Sequence, residues 1–484
     1  MTCMQGASFS HIMTNILVVI LLTASLFLSM FMFTRDMFTP GIMLLLLPFA
    51  ILFAASVFYN PRMGLMVAFI MNYFALGLVR YVQAPWGLSI DMLLLLSWLA
   101  LFFKAFNVKI PLHKAANDLT LVAAIWYAYI FLQLLNPEAA SREAWFYAMR
   151  GVGFYKLLTI PLAFILLDHP KYVKTMIYLW AAFTLLAVMK SLMQKFYGFD
   201  PFEQRWLDGG GALTHIILSG VRYFSFFSDA GNFGASMGFS GVVFSIIALH
   251  EKRMGKKMML GGIALMAFYA MLISGTRGAI AVPVAGFFLY TILTKKVKIL
   301  TIGSIAMLTV FIFLKFTYIG QNNYEIRRAR SALNPQDASF QVRRDNQKLL
   351  ATYLVSRPFG GGIGSAGNWG QRFTPDTFLA SIPTDSWYVM IWAETGIVGL
   401  LLHISILVFI VAKSAWIIMA KLKNTALIIH LSALLSGMVG IMVASYGNGL
   451  LGQMPNGIII YLSMAFIFMA PKWEREYSHI NNIL

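Results

Sequence analysis

The chain is 484 residues long, 59% hydrophobic and 12% charged, with one cysteine and a formal net charge of +18. That balance excludes a water-soluble enzyme and describes a membrane protein. The lone Cys3 excludes an internal disulfide and a cysteine-based metal centre. The basic excess serves orientation in a bilayer, so no nucleic-acid partner is expected.

The first apolar run, about residues 12–33, is too long for the core of a signal peptide and lacks a charged leader, so it reads as the first spanning helix. Further spans centre near residues 49, 72, 97, 128, 157, 184, 240, 265, 286, 306, 399, 436 and 461, each close to the length a bilayer requires. The expected fold is an all-α polytopic membrane protein of about 12–14 transmembrane helices. Residues 1–200 form an N-terminal helical part, and residues 201–484 carry the chemistry. Arg62, Lys104, Lys109, Lys114, Lys171, Lys174, Lys252, Arg253, Lys256, Lys257, Lys295, Lys296, Lys298, Lys413, Lys421 and Lys423 all fall on alternate connections. By the positive-inside rule those connections are cytoplasmic, and so are both termini.

Two connections on the opposite side are long, about 198–230 and 317–385. The second holds eight basic residues (Arg327, Arg328, Arg330, Arg343, Arg344, Lys348, Arg357 and Arg372) against Glu325, Asp337, Asp345, Asp376 and Asp385. A basic external loop beside a membrane invites an anionic partner.

Along the chain, "AMRGVGFYKLL" places Arg150 and Lys156 inside a span, the next span carries Lys190, and a later one carries Glu394. Ionisable groups at such depth face a bundle interior or a cavity. These cations either pair with Glu394 or Asp91 or line a site for an anionic headgroup. In "VRYFSFFSDAGNFGASMGF", Asp229 and Asn232 are candidate caps of the following helix, and Arg222 lies among aromatics where it suits a phosphate or a sugar ring. "LISGTRGAI" is a tight external turn that leaves Arg277 at headgroup depth, either snorkelling or clamping phosphate through its planar fork.

Residues 343–355 read as a helix with Leu349, Leu350, Tyr353 and Leu354 on one apolar face, carrying Arg343 and Arg344 near its start. Arg357-Pro358 ends it, and the glycines of "GGGIGSAG" follow. Their spacing matches a dinucleotide fingerprint, but no strand precedes it, so close backbone approach to a neighbour is the better reading. Asp385, ahead of the apolar run that starts at Trp387, is either a helix cap or a general base that takes the proton of an attacking hydroxyl. No Walker, HExxH or Gly-x-Ser-x-Gly motif is present.

With the turn Ser274–Ala279, the stretch "SRPFGGGIG" (356–364) and the spacing Ser386, Gly396, Gly399, the chain resembles the O-antigen ligase and polymerase superfamily over roughly residues 215–412. Ligases of that superfamily carry a histidine where this chain has Asp385. The resemblance implies a GT-C-like fold with a large, partly helical periplasmic loop, and a glycosyltransferase in the bacterial inner membrane whose active site faces the periplasm. It needs no metal or other cofactor. Its donor would be a glycan on undecaprenyl pyrophosphate, its acceptor another glycan or lipid A-core, and its neighbours membrane lipids and envelope-polysaccharide assembly proteins. Arg277 and one of Arg343 or Arg344 would bind the pyrophosphate, Asp385 would activate or orient the acceptor, and in-line displacement would invert the anomeric carbon. The histidine-to-aspartate departure favours polymerisation of repeat units over ligation. A lipid-linked sugar flippase is the alternative of another class, although no internal repeat of the transporter kind is evident.

Overall fold

The computed structural model describes residues 2–35, 37–217, 220–295, 297–331, 334, 336 and 338–483. Lys296 and Asp337, counted above among the loop charges, lie outside the described residues. The chain is an all-α polytopic membrane protein. Among the described residues the strands are the two-residue pair Ile216–Ile217 and Gly220–Val221, joined antiparallel. This follows from composition, since a backbone in hydrocarbon must satisfy its own polar groups and a helix does so within one segment.

Among the described residues, eleven helices are long and apolar enough to span a bilayer, and three shorter apolar ones accompany them: Val19–Thr34, Arg277–Leu293 and Gly303–Phe316. Each of the thirteen expected centres falls within one of these segments, and the first run overlaps Val19–Thr34. The shorter three account for the difference between the expected count and eleven. Arg277–Leu293 begins with a 3-10 turn, Arg277–Ile280.

The chain divides into two compact units, Met1–Val67 with Leu93–Ile110, and Ala68–Met92 with Pro111–Leu484. In the first, Thr2–Thr34 and Phe38–Tyr59 pack as an antiparallel pair, and Ser29 Oγ donates to Gly41 O at 2.6 Å. The second unit holds every residue of the site described below. At its centre lie Ala230–His250, Thr425–Ala444 and the apolar part of Asn456–Ile483, largely buried against their neighbours. Small side chains allow this approach. A Cβ on Gly437 would stand 2.3 Å from the Phe239 ring.

The two long connections are themselves structured. Residues 198–230 fold as Pro201–Trp206, a π-helical turn, Ala212–His215 and the small hairpin. Residues 317–385 contain Tyr324–Ser331, Ala338–Leu354, Gly367–Phe373 and Phe378–Ser381. In Ala338–Leu354 the predicted apolar face holds at three of its four positions. Leu350 and Leu354 are buried and Tyr353 stacks on Phe378 at 4.4 Å, whereas Leu349 is 54% exposed.

Candidate active site

The Ser274–Ala279 turn is built by its small residues. Ser274 Oγ donates to Met271 O at 2.6 Å and accepts from Thr276 N at 3.2 Å, closing the end of Met254–Ile273. Gly275 then takes φ +61°, and a Cβ there would lie 3.0 Å from Tyr324 Oη and 3.1 Å from Arg222 Cγ. The chain enters its next helix through Arg277, which is left half-buried at the mouth.

Arg222 lies beside this turn. Its Nη1 donates to Thr214 O at 2.9 Å and its Nη2 to Thr276 Oγ1 at 3.1 Å, while Nε is buried without a partner among the described residues. Burial, then the charge of Arg328, holds its guanidinium below the ordinary arginine range, with Asp229 opposing and Arg277 adding to the effect.

His215 closes the floor of the same region. Its Nε2 accepts from Ala230 N at 3.1 Å, so Nδ1 carries the proton and donates to Gly211 O at 2.9 Å. Both ring nitrogens are committed, and burial lowers its pKa. His215 is a structural, neutral imidazole. Asp229 caps Ala230–His250 by accepting from Asn232 N at 2.9 Å, as expected. The Asn232 side chain does not cap; it reaches Ser228 Oγ and Met454 O and accepts from Asn456.

The external loop supplies two more arginines. Arg328, on Tyr324–Ser331, donates from Nε to Gly275 O at 3.0 Å, and its helix is tethered by Glu325 to Lys195 at 2.7 Å. Arg343, on Ala338–Leu354, donates from Nε to Asp385 Oδ2 at 3.0 Å. The helix cap is Ser386, whose Oγ accepts from Val389 N, and Trp387 N donates to Ser445 O at 2.9 Å. Asp385 is thus one residue outside the helix, and the capping role expected for it belongs to Ser386. Its side chain is half exposed and held by Arg343.

These pieces enclose a cavity of about 610 Å³ where the starts of Ala230–His250 and Trp387–Trp416 meet the ends of Met254–Ile273 and Thr425–Ala444. Arg222, Arg277, Arg328 and Arg343 line it with Asp229, Asp385, His215, Asn368 and Asn448. Among the described residues that line it, four guanidiniums stand with two carboxylates, and one of those carboxylates caps a helix.

Of the residues singled out from sequence, Arg222, Arg277, Arg343 and Asp385 are brought together here. Arg344 is exposed and does not line the cavity, because neighbouring residues on a helix point about 100° apart. The four residues placed within spans are also elsewhere. Arg150 pairs with Asp91 at 3.0 Å, and Lys190 with Asp200 at 2.8 Å and Glu203 at 3.1 Å. Lys156 lines a separate cavity of about 10 Å³ with His403 and Trp387. Glu394 is buried beside the glycine tract: its main-chain O accepts from Gly362 N at 2.9 Å, and its Oε2 has no hydrogen-bond partner among the described residues. Arg328 was legible only as one loop cation among eight. Nothing in the sequence separates it from Arg327, since both lie within one helical turn of Tyr324.

The fold and this cavity define a class: a polytopic membrane protein with a concentrated cationic site, one carboxylate at its rim and a structured loop folded over it. Residues 262–404 match the family model described as O-antigen ligase, a span that contains Arg277, Arg328, Arg343 and Asp385. Over 186 residues, 38% of this chain and 45% of the relative, the chain is 30% identical to an O-antigen polymerase of Salmonella muenchen. The match thus spans less than half the length of that curated relative. The resemblance to the O-antigen ligase and polymerase superfamily is borne out by both.

Proposed function

We propose that the protein is a membrane glycosyltransferase that extends an envelope polysaccharide, taking as donor a glycan on undecaprenyl pyrophosphate at the periplasmic face of the inner membrane. The observation that carries this reading is the convergence of Arg222, Arg277, Arg328 and Arg343 on one cavity whose rim bears Asp385. A pyrophosphate leaving group develops negative charge as its bond to the sugar lengthens, and preorganised guanidiniums stabilise that charge more in the transition state than in the ground state.

In the proposed step, an acceptor hydroxyl oxygen attacks the anomeric carbon of the donor sugar. The bond from that carbon to the phosphate oxygen breaks, lipid pyrophosphate leaves, and the hydroxyl proton passes to Asp385 or through it to water. Attack opposite the leaving group inverts the anomeric carbon. Arg343 orients Asp385 and so ties the helix that binds phosphate to the group that receives the acceptor. Polymerisation is the favoured reading because the matched relative is a polymerase and because the histidine of the ligases is here Asp385.

The test is the lipid-linked glycan that accumulates when the gene is deleted, sized by mass spectrometry. Single repeats on undecaprenyl pyrophosphate at the outer face are expected. Long chains retained on that lipid would instead make the protein a ligase, and single repeats trapped on the inner face would make it a flippase. Complementation with Arg277→Ala or Asp385→Asn should leave the deletion phenotype in place while the protein accumulates at wild-type levels. Full product from Asp385→Asn would remove its role in proton transfer.

A further inference from the structure

The short helix Gly367–Phe373 faces two ways. Its Asn368 lines the arginine cavity, and its Trp369, Arg372 and Phe373 lie against Tyr147 of the helix Arg142–Met149. The Tyr147 ring stacks on Trp369 at 5.1 Å and on Phe373 at 5.4 Å, with interplanar angles of 21° and 17°. The Arg372 guanidinium stands 5.5 Å from the Tyr147 centroid and 5.2 Å from that of Phe373. Beside this stack opens a second cavity of about 450 Å³, lined by Arg142, Glu143, Phe146, Tyr147, Arg372 and Phe373. The transfer step described above uses none of these side chains.

We infer that this second cavity is a saccharide subsite, holding a sugar residue of the glycan whose reacting end occupies the arginine cavity. The inference rests on the proposed function for the identity of that glycan. Three features carry it. The aromatic faces offer a flat apolar surface for the C–H face of a pyranose. Guanidiniums only donate hydrogen bonds and a carboxylate only accepts them, so Arg142, Arg372 and Glu143 together match hydroxyls that do both. A phospholipid headgroup fits less well, since Glu143 would repel its phosphate. Finally, Asn368 and Arg372 are four positions apart on one helix, about 6 Å along its axis, so a chain leaving the first cavity meets the second directly.

The subsite is therefore a place where repeat-unit composition is read away from the reacting bond. Its test is binding of phosphate-free oligosaccharides, hydrolysed from the host's own surface polysaccharide, to the full-length protein in nanodiscs. Wild type should bind them. The Arg142→Ala, Arg372→Ala double variant, changed only at exposed side chains, should bind at least about tenfold more weakly, the loss expected for charged hydrogen-bond donors. Phe373→Ala should weaken binding as well, and Lys348→Ala, exposed and outside the lining of both cavities, should bind as wild type does.

Absence of binding to wild type would overturn the subsite. Loss in Arg277→Ala with none in the double variant would place the sugar in the arginine cavity alone and overturn it too. Displacement of the oligosaccharide by phosphatidylglycerol, but not by a zwitterionic lipid, would make the cavity a headgroup site. The two proposals fail separately: oligosaccharide binding with full product from Arg277→Ala would sink the phosphate clamp and leave the subsite standing.

Discussion

Arg343 and Arg344 are the same residue type in adjacent positions, and only the rotation of their helix distinguishes them. Arg343 reaches Asp385 and lines the cavity, while Arg344 points to solvent. Arg343→Ala should therefore lower product formation by about 100-fold or more, as removal of a transition-state charge contact does, with Arg344→Ala within a few-fold of wild type. Equal losses, measured as polymer formed per amount of membrane-inserted protein, would mean that the helix turns on binding substrate. His215 carries a prediction of a different kind. Burial depresses its folded pKa relative to an unfolded value near 6.5, so the unfolded state binds the extra proton first. Its contribution to stability is present above about pH 6.5 and is lost as pH falls below that value. Thermal unfolding in detergent should show the melting temperature dropping between about pH 7 and pH 5, with a shallower drop in His215→Ala. An unchanged slope in the variant would assign the acid sensitivity to other groups.

At the scale of elements, the glycine tract after Pro358 explains the break in the helix Trp387–Trp416. Gly361 N and Gly362 N donate to Ala393 O and Glu394 O, each at 2.9 Å, and Val398 N donates to Pro358 O at 3.2 Å. The tract therefore binds the helix backbone where Gly396 takes φ +67°. A Cβ on Gly396 would stand 2.0 Å from Pro358 O and 2.5 Å from Gly360 N. Glu394 lies at this joint with its side chain buried and its Oε2 without a hydrogen-bond partner among the described residues. Gly396→Ala meets both the left-handed backbone and the collision, and should cost at least about 1–3 kcal/mol. The readout is the folded fraction after detergent extraction and its melting temperature. A variant as stable as wild type would show that the loop docks without this contact. Close backbone approach was legible in the sequence, because a run of glycines has few other uses there. The partner helix was not, because the contact joins segments more than thirty residues apart.

For the whole molecule, the placement of positive charge predicts that the cavity end of the bundle faces the periplasm. Gln371 is exposed on the helix Gly367–Phe373. In a Cys3→Ala background, Gln371→Cys should react with a membrane-impermeant maleimide added outside permeabilised outer membranes, and Lys252→Cys should not. The reverse labelling would invert the molecule and with it the side on which the donor must be presented.

Hydrophobic length and charge asymmetry alone determined the all-α polytopic fold, the position of every apolar helix and the expected orientation, because each reports on a stretch of chain meeting the bilayer directly. Residue type and motif also marked Arg222, Arg277, Arg343 and Asp385 as candidates. Tertiary structure decided which cations share a cavity and which are neutralised inside the bundle. It added Arg328, moved the helix cap from Asp385 to Ser386, and gave Arg150 and Lys190 to Asp91, Asp200 and Glu203. These outcomes depend on helix rotation and on contacts between distant segments. A one-residue change of phase exchanges Arg343 for Arg344 without altering hydropathy, and so leaves no trace in the pattern from which the spans were read.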